Sequence, residues 1–168
     1  MLRRHILLLL AAVCLAPLPL AAQKKGEPKY KSIEPRHFDR KEGVELSPQF
    51  AEFLYASLKE EMQKSKLFAE VIGENEAVDA ADAPLSFILE GTLVEHGKGN
   101  LAKEMLIGFG AGRRSLVVRF TLKRRSDNQA IIGDKVVKVR SPRQWNENVL
   151  ARAMANKLVG EVKKALKK

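Results

Sequence analysis

Cysteine is almost missing from this sequence: 168 residues contain one, Cys14, and it falls inside an apolar leader. With that leader removed, the chain has neither disulfide nor thiol chemistry, although an export signal would permit both. Histidine is nearly as scarce, with three residues in all. Only His37 and His96 lie beyond the leader, in different segments and without a tight carboxylate partner in sequence, which makes a poor zinc site. Aromatic residues make up 6% of the chain, with one tryptophan; Trp145, near the start of the last helical pattern, reads as a core anchor. There are no internal repeats. The longest apolar run is too short and too interrupted by proline for a membrane span, which needs about 20 residues.

What is present begins with that leader. Arg3 and Arg4 precede an apolar stretch, Ile6 to Val13 with Leu15, which Pro17 and Pro19 break before the small residues Ala21 and Ala22. This is the layout of a secretory signal peptide cut between Ala22 and Gln23. The expected organisation is a signal peptide at 1–22, a disordered lead-in at 23–30 and a single α/β domain at 31–168. The expected location is the periplasm. The alternative is a lipoprotein anchored through Cys14, but the preceding residue is Val13, where lipidation needs a small one.

The formal charge is +10, and loss of Arg3 and Arg4 lowers it by two. In a cytosolic protein such a balance would suggest nucleic acid. An exported chain meets other anions instead: phospholipid headgroups, outer-membrane glycolipid or acidic wall polymer. Nucleic acid is therefore not an expected partner. The charge also serves simply to keep a small domain soluble.

Along the chain, Tyr30 and Ser32 start an irregular first strand, which Pro35 would place at a sheet edge. Ser47-Pro48 combines an N-cap with a proline at the first helical position. Phe50, Phe53, Leu54, Leu58 and Met62 then form one helical stripe. "KLFAEVIG" (66–73) predicts a short strand, and the acidic "ENEAVDAADAP" (74–84) a surface loop. "LSFILEGTLVEHG" (85–97) predicts a strand in which Gly91 marks a bulge or a close approach. In "SLVVRFTLKRR", Leu116, Val118, Phe120 and Leu122 alternate with polar residues; "SDNQ" turns, and "AIIGDKVVKV" (130–139) returns as a hairpin partner. Ser141-Pro142 opens a last helix whose apolar face includes Leu150, Met154, Leu158, Val162 and Leu166. Adjacent strands in series exclude a regular doubly wound sheet. The predicted fold is α/β (α+β): a single mixed, largely antiparallel sheet of about four to five strands with two helices packed on it.

Sites for chemistry are thin. Gly108-Phe109-Gly110-Ala111-Gly112 is one residue short of a dinucleotide fingerprint. A strand pattern follows it, where pyrophosphate binding needs a helix N-terminus. It also lacks the Lys-Ser/Thr of a P-loop. "RHFD" (36–39) would give a hydrolase a histidine, His37, oriented by Asp39, but no serine or cysteine elbow accompanies it. Glu90 and Glu95, five residues apart on one strand, fall on opposite faces and form no carboxylate pair. No catalytic residue, metal or cofactor is expected.

The remaining feature is the connection around 98–114, long for a hairpin and therefore a candidate interaction element. Its tip residues are Met105, Leu106, Ile107, Gly108, Phe109, Gly110 and Gly112. Lys103, Arg113 and Arg114 bracket them. One arrangement is an apolar tip that touches an anionic lipid or glycolipid surface or a partner. The other folds Met105, Leu106, Ile107 and Phe109 back over the sheet, the glycines allowing close approach.

"LEGTLVEHGKGNLAKEMLIGFGAGRRSLVVRFTLKR" (89–124) resembles the signature of a bacterial exported family known only as a domain of unknown function. "SPQFAEFLYASLKEEMQKSKLFAEV" (47–71) is similar to that family's first helix and next strand. The resemblance implies an envelope protein with a fold similar to the Tol-system protein B amino-terminal domain and to outer-membrane activators of cell-wall synthases. It implies no catalytic residue. The expected function is a non-enzymatic periplasmic adaptor that binds another envelope protein, with lipid or glycolipid contact through 98–114 as the alternative.

Overall fold

The computed structural model describes residues 28–97, 114–140 and 147–167. The leader with Cys14, the Ser141-Pro142 helix start, Trp145 and all of 98–113 lie outside them. The elements are β1 (Tyr30–Pro35), β2 (Asp39–Arg40), α1 (Pro48–Lys64), β3 (Phe68–Val71), a 3-10 turn (Ala83–Leu85), β4 (Ser86–Gly97), β5 (Ser115–Arg124), β6 (Ala130–Arg140) and α2 (Glu147–Leu166).

They form one mixed sheet in the order β3-β1-β4-β5-β6, with β2 continuing beside β4. β4, β5 and β6 are antiparallel neighbours, whereas β1 runs parallel to both β3 and β4. The expected sheet with two helices is present, and the two-residue β2 adds a further strand.

Local signals place the helices. The Ser47 side chain accepts the Phe50 N–H and so caps α1, with Pro48 at its start. Phe50, Leu54, Leu58 and Met62 are buried, and Phe53 packs at the margin. α2 buries Leu150, Met154, Leu158, Val162 and Leu166 as its spacing predicts, together with Ala151, Ala155 and Val159. Both helices pack on one face of the sheet, against Ile33, Phe87, Leu89, Leu93, Leu116, Val118, Phe120 and Leu122. The Tyr30 hydroxyl donates to the Leu166 carbonyl at 2.7 Å, which satisfies one of the open acceptors at the end of α2.

Two expectations need correction. Pro35 does not put β1 at an edge, since β1 lies between β3 and β4. The Arg36 N–H donates to Leu89 across the β4 side at 2.9 Å. By strand alternation the missing N–H of Pro35 faces the other side, where the ladder to β3 has already ended at Ile33↔Val71. Glu90 and Glu95 are not on opposite faces either. A bulge between Leu93 and Glu95 shifts the register, so Glu90 pairs with Thr121 and Glu95 with Val117. Four positions apart on β5 puts them on one face, about 13 Å from each other. They remain too distant to act as a pair.

Candidate functional site

Three groups of side chains lie along the sheet: one just beyond the end of β1, one on the face without helices, and one where β4 ends and β5 begins.

The first surrounds His37, just beyond β1. Its Nδ1 lies 2.7 Å from Glu74 Oε2, in the loop after β3, and its Nε2 lies 3.5 Å from Glu52 on α1. The His37 backbone N–H also donates to Glu74, at 3.2 Å. The ring stacks on Tyr55 with centroids 3.9 Å apart. The Glu74 carboxylate holds the imidazole above its usual range; partial burial opposes this, and Glu52 adds to it. Glu74 is lowered in turn, chiefly by its bond to His37. Burial, and then the Glu74 charge, push the Tyr55 phenol up. The histidine is oriented by Glu74 and not by Asp39, which is exposed on β2 and pairs through its backbone with Thr92. The adjoining hollow is lined by Arg36, Phe38, Ala51, Leu54, Tyr55 and Leu93 among others, and among the described residues it has no serine, threonine or cysteine.

The second group covers the sheet face without helices. Glu34 has no solvent exposure. It accepts from Arg36 Nε at 2.9 Å, from the Asn75 N–H at 3.0 Å and from Arg125 Nη2. Arg36 also reaches Glu90 at 3.5 Å, and Glu90 pairs with Lys123. The hydrogen bond from Glu34 raises the Arg36 guanidinium, against the effect of burial. Arg125, Glu34, Arg36, Glu90 and Lys123 thus alternate in sign as one chain of ion pairs.

The third group anchors the predicted interaction element. Of its residues Arg114 alone is described; Lys103, Met105, Leu106, Ile107, Gly108, Phe109, Gly110, Gly112 and Arg113 lie outside the described residues. The β4–β5 ladder runs out to Gly97↔Ser115, so both ends of the connection are fixed side by side. Arg114 Nη1 binds Glu147 Oε1 at 2.8 Å, tying the start of β5 to the first turn of α2. Its buried Nε has no hydrogen-bond partner among the described residues. His96 Nδ1 lies 3.0 Å from the Glu45 carbonyl, and its ring lies 5.4 Å from that of Phe50.

Sequence reasoning missed Glu34, Glu52, Tyr55 and Glu74. Glu52 and Tyr55 carried a weak signal, being three apart on α1 and therefore neighbours on its surface. Glu74 carried none, because 37 residues and a crossover separate it from His37.

A family model described as Domain of unknown function (DUF4410) matches residues 31–141. No curated protein sequence matches the chain. Among solved structures, the PelC dodecamer from Paraburkholderia phytofirmans is similar with a TM-score of 0.57 and 12% identity, over 80% of this chain and 92% of that one. Protein XCC0632 from Xanthomonas campestris, of family DUF330, is similar with a TM-score of 0.54 and 11% identity, over 82% and 86%. TolB from Acinetobacter baumannii matches with a TM-score of 0.45 and 13% identity, over 85% of this chain and 30% of its own. At these identities the likeness is one of fold, and fold alone assigns no function.

Proposed function

Because the chain belongs to the family described as Domain of unknown function (DUF4410), we propose a role from its own geometry. It is a non-enzymatic binding module, exported to the periplasm, that engages another envelope protein through the 98–114 segment. The observation that carries this reading is the platform formed by the residues on either side of that segment. An antiparallel ladder continues to Gly97↔Ser115, and the Arg114–Glu147 ion pair ties it to α2. A long connection on a rigid scaffold is where binding residues concentrate. The His37 group favours binding over covalent hydrolysis, because among the described residues its hollow offers a histidine but no acyl-accepting serine, threonine or cysteine. PelC, of similar fold, is a dodecamer, and that favours protein contact as the work of this fold here too.

The test is photo-crosslinking in cells from position 109. A discrete protein adduct that disappears with Arg114→Glu is expected, and the absence of any protein adduct overturns the reading. The second reading, lipid or glycolipid contact, is favoured by the basic residues Lys103, Arg113 and Arg114 around an apolar run. It requires salt-sensitive sedimentation with phosphatidylglycerol vesicles, lost on Phe109→Ser.

A further inference from the structure

The two edge strands of the sheet carry opposite charge. At the β3 edge, residues 68–85 hold five carboxylates, Glu70, Glu74, Glu76, Asp79 and Asp82, and no lysine or arginine. Three of them are engaged within the molecule: Glu74 with His37, Glu76 with the Gly73 N–H and Asp82 with Lys31. Glu70 and Asp79 are exposed and have no cationic partner among the described residues. Both line one polar recess together with Glu76 and Asp82, where Lys31 is the one cation among the lining residues.

At the β6 edge the sign is reversed. β6 carries Lys135, Lys138 and Arg140 against one acid, Asp134, and α2 beside it carries Arg152, Lys157, Lys163 and Lys164 against Glu147 and Glu161. Lys157 reaches over the edge to donate to the Lys138 carbonyl at 2.8 Å. Arg140, Lys157 and Lys163 have no acidic partner among the described residues.

Five strand positions at about 4.8 Å spacing separate these edges by roughly 19 Å. That is more than twice the Debye length of about 8 Å at physiological salt. The two ends therefore do not neutralise each other within one molecule. A symmetric contact through β6 would bring Lys135, Lys138 and Arg140 against their own copies, and the bulge between the pairs Phe120↔Lys135 and Leu122↔Ile132 bends that edge further. Opposite ends can meet without the like-charge penalty. We infer that copies of this chain associate head to tail, the β6–α2 end of one against the β3 end and acidic loop of the next. Such a heterologous contact builds a ring or a filament and not a closed two-fold dimer. The inference is independent of the role proposed for residues 98–114.

Sedimentation velocity of the purified protein tests it with two reversed-charge variants, Glu70→Lys/Asp79→Lys and Lys138→Glu/Lys157→Glu. At low salt the unmodified protein is expected to form species above monomer that grow with concentration and dissolve at high salt. Each variant alone, with one of its two ends brought close to neutral, should sediment as monomer. Mixed in equal amounts, the two should associate again, which also shows that both are folded. Three results overturn the proposal: an unmodified protein that stays monomeric at low salt, variants that associate alone, or a mixture that remains monomeric.

Discussion

Arg125 reaches back over 91 residues to close a carboxylate, Glu34, that has no exposure to solvent. A buried charge persists only when it is paired and hydrogen-bonded, and Glu34 meets this with two guanidinium groups and one backbone N–H. Removing one partner leaves the charge undercompensated, at a cost of about 3 kcal/mol. Arg125→Met should lower the urea midpoint accordingly, with an unchanged denaturant slope. The loss should shrink in the background of Glu34→Gln, because the charge that needs neutralising is gone. Equal losses in both backgrounds would mean that Arg125 acts by packing alone.

His37 and Glu74 define a pH window for stability. The folded imidazole titrates above its unfolded value of about 6.5. Its contribution is therefore complete below that value and is lost as the pH rises through the folded one. Glu74 is depressed, so its contribution is present above the unfolded value of about 4.3 and is lost as the pH falls through the folded one. The pair stabilises most between about pH 4.3 and 6.5. The side chains are 44% and 33% exposed, and solvent screening limits the gain to about 0.5–1 kcal/mol. Unfolding of the parent and of His37→Asn should differ most near the middle of that window and converge at alkaline pH. A difference that stays constant with pH would rule out the ionic origin.

Features written in local sequence were legible. Ser47-Pro48 announces the cap of α1, and the alternation of Leu116, Val118, Phe120 and Leu122 announces the inner face of β5. Features that depend on distant chain were not. Nothing near Pro35 shows that β3 will stop short and leave its missing N–H opposite no partner. The bulge after Leu93 has no local mark, although it decides which face Glu95 takes. Glu34 looks like any strand glutamate until the loop with Asn75 and the hairpin end with Arg125 fold over it. The His37 group is unreadable for the same reason, since its partners come from α1 and from the far side of β3.

Gly160 sits inside α2 with nothing within 4 Å of where a Cβ would be. Glycine in a helix interior costs about 1 kcal/mol relative to alanine. Gly160→Ala should therefore stabilise the domain by about that amount and raise Tm by roughly 3 °C at this size. An unchanged or lowered Tm would show that α2 needs the missing side chain, for a contact that the isolated chain does not make.

Gly91 presents the opposite case. A Cβ there would stand 2.6 Å from the Arg119 carbonyl oxygen and 3.2 Å from the Phe120 Cα, both backbone atoms of the neighbouring strand. Alanine would gain about 0.4–1 kcal/mol by restricting the unfolded chain. Relief of the overlap requires β4 and β5 to separate beside Phe120, one of the largest fully buried side chains, and such overpacking costs about 1–3 kcal/mol. The clash outweighs the entropy gain, so Gly91→Ala should destabilise by about 1–2 kcal/mol. Amide exchange should rise selectively along the β4–β5 ladder around Gly91↔Phe120. A neutral substitution would mean that the strands part at no cost, and that the close approach is not what places glycine at this position.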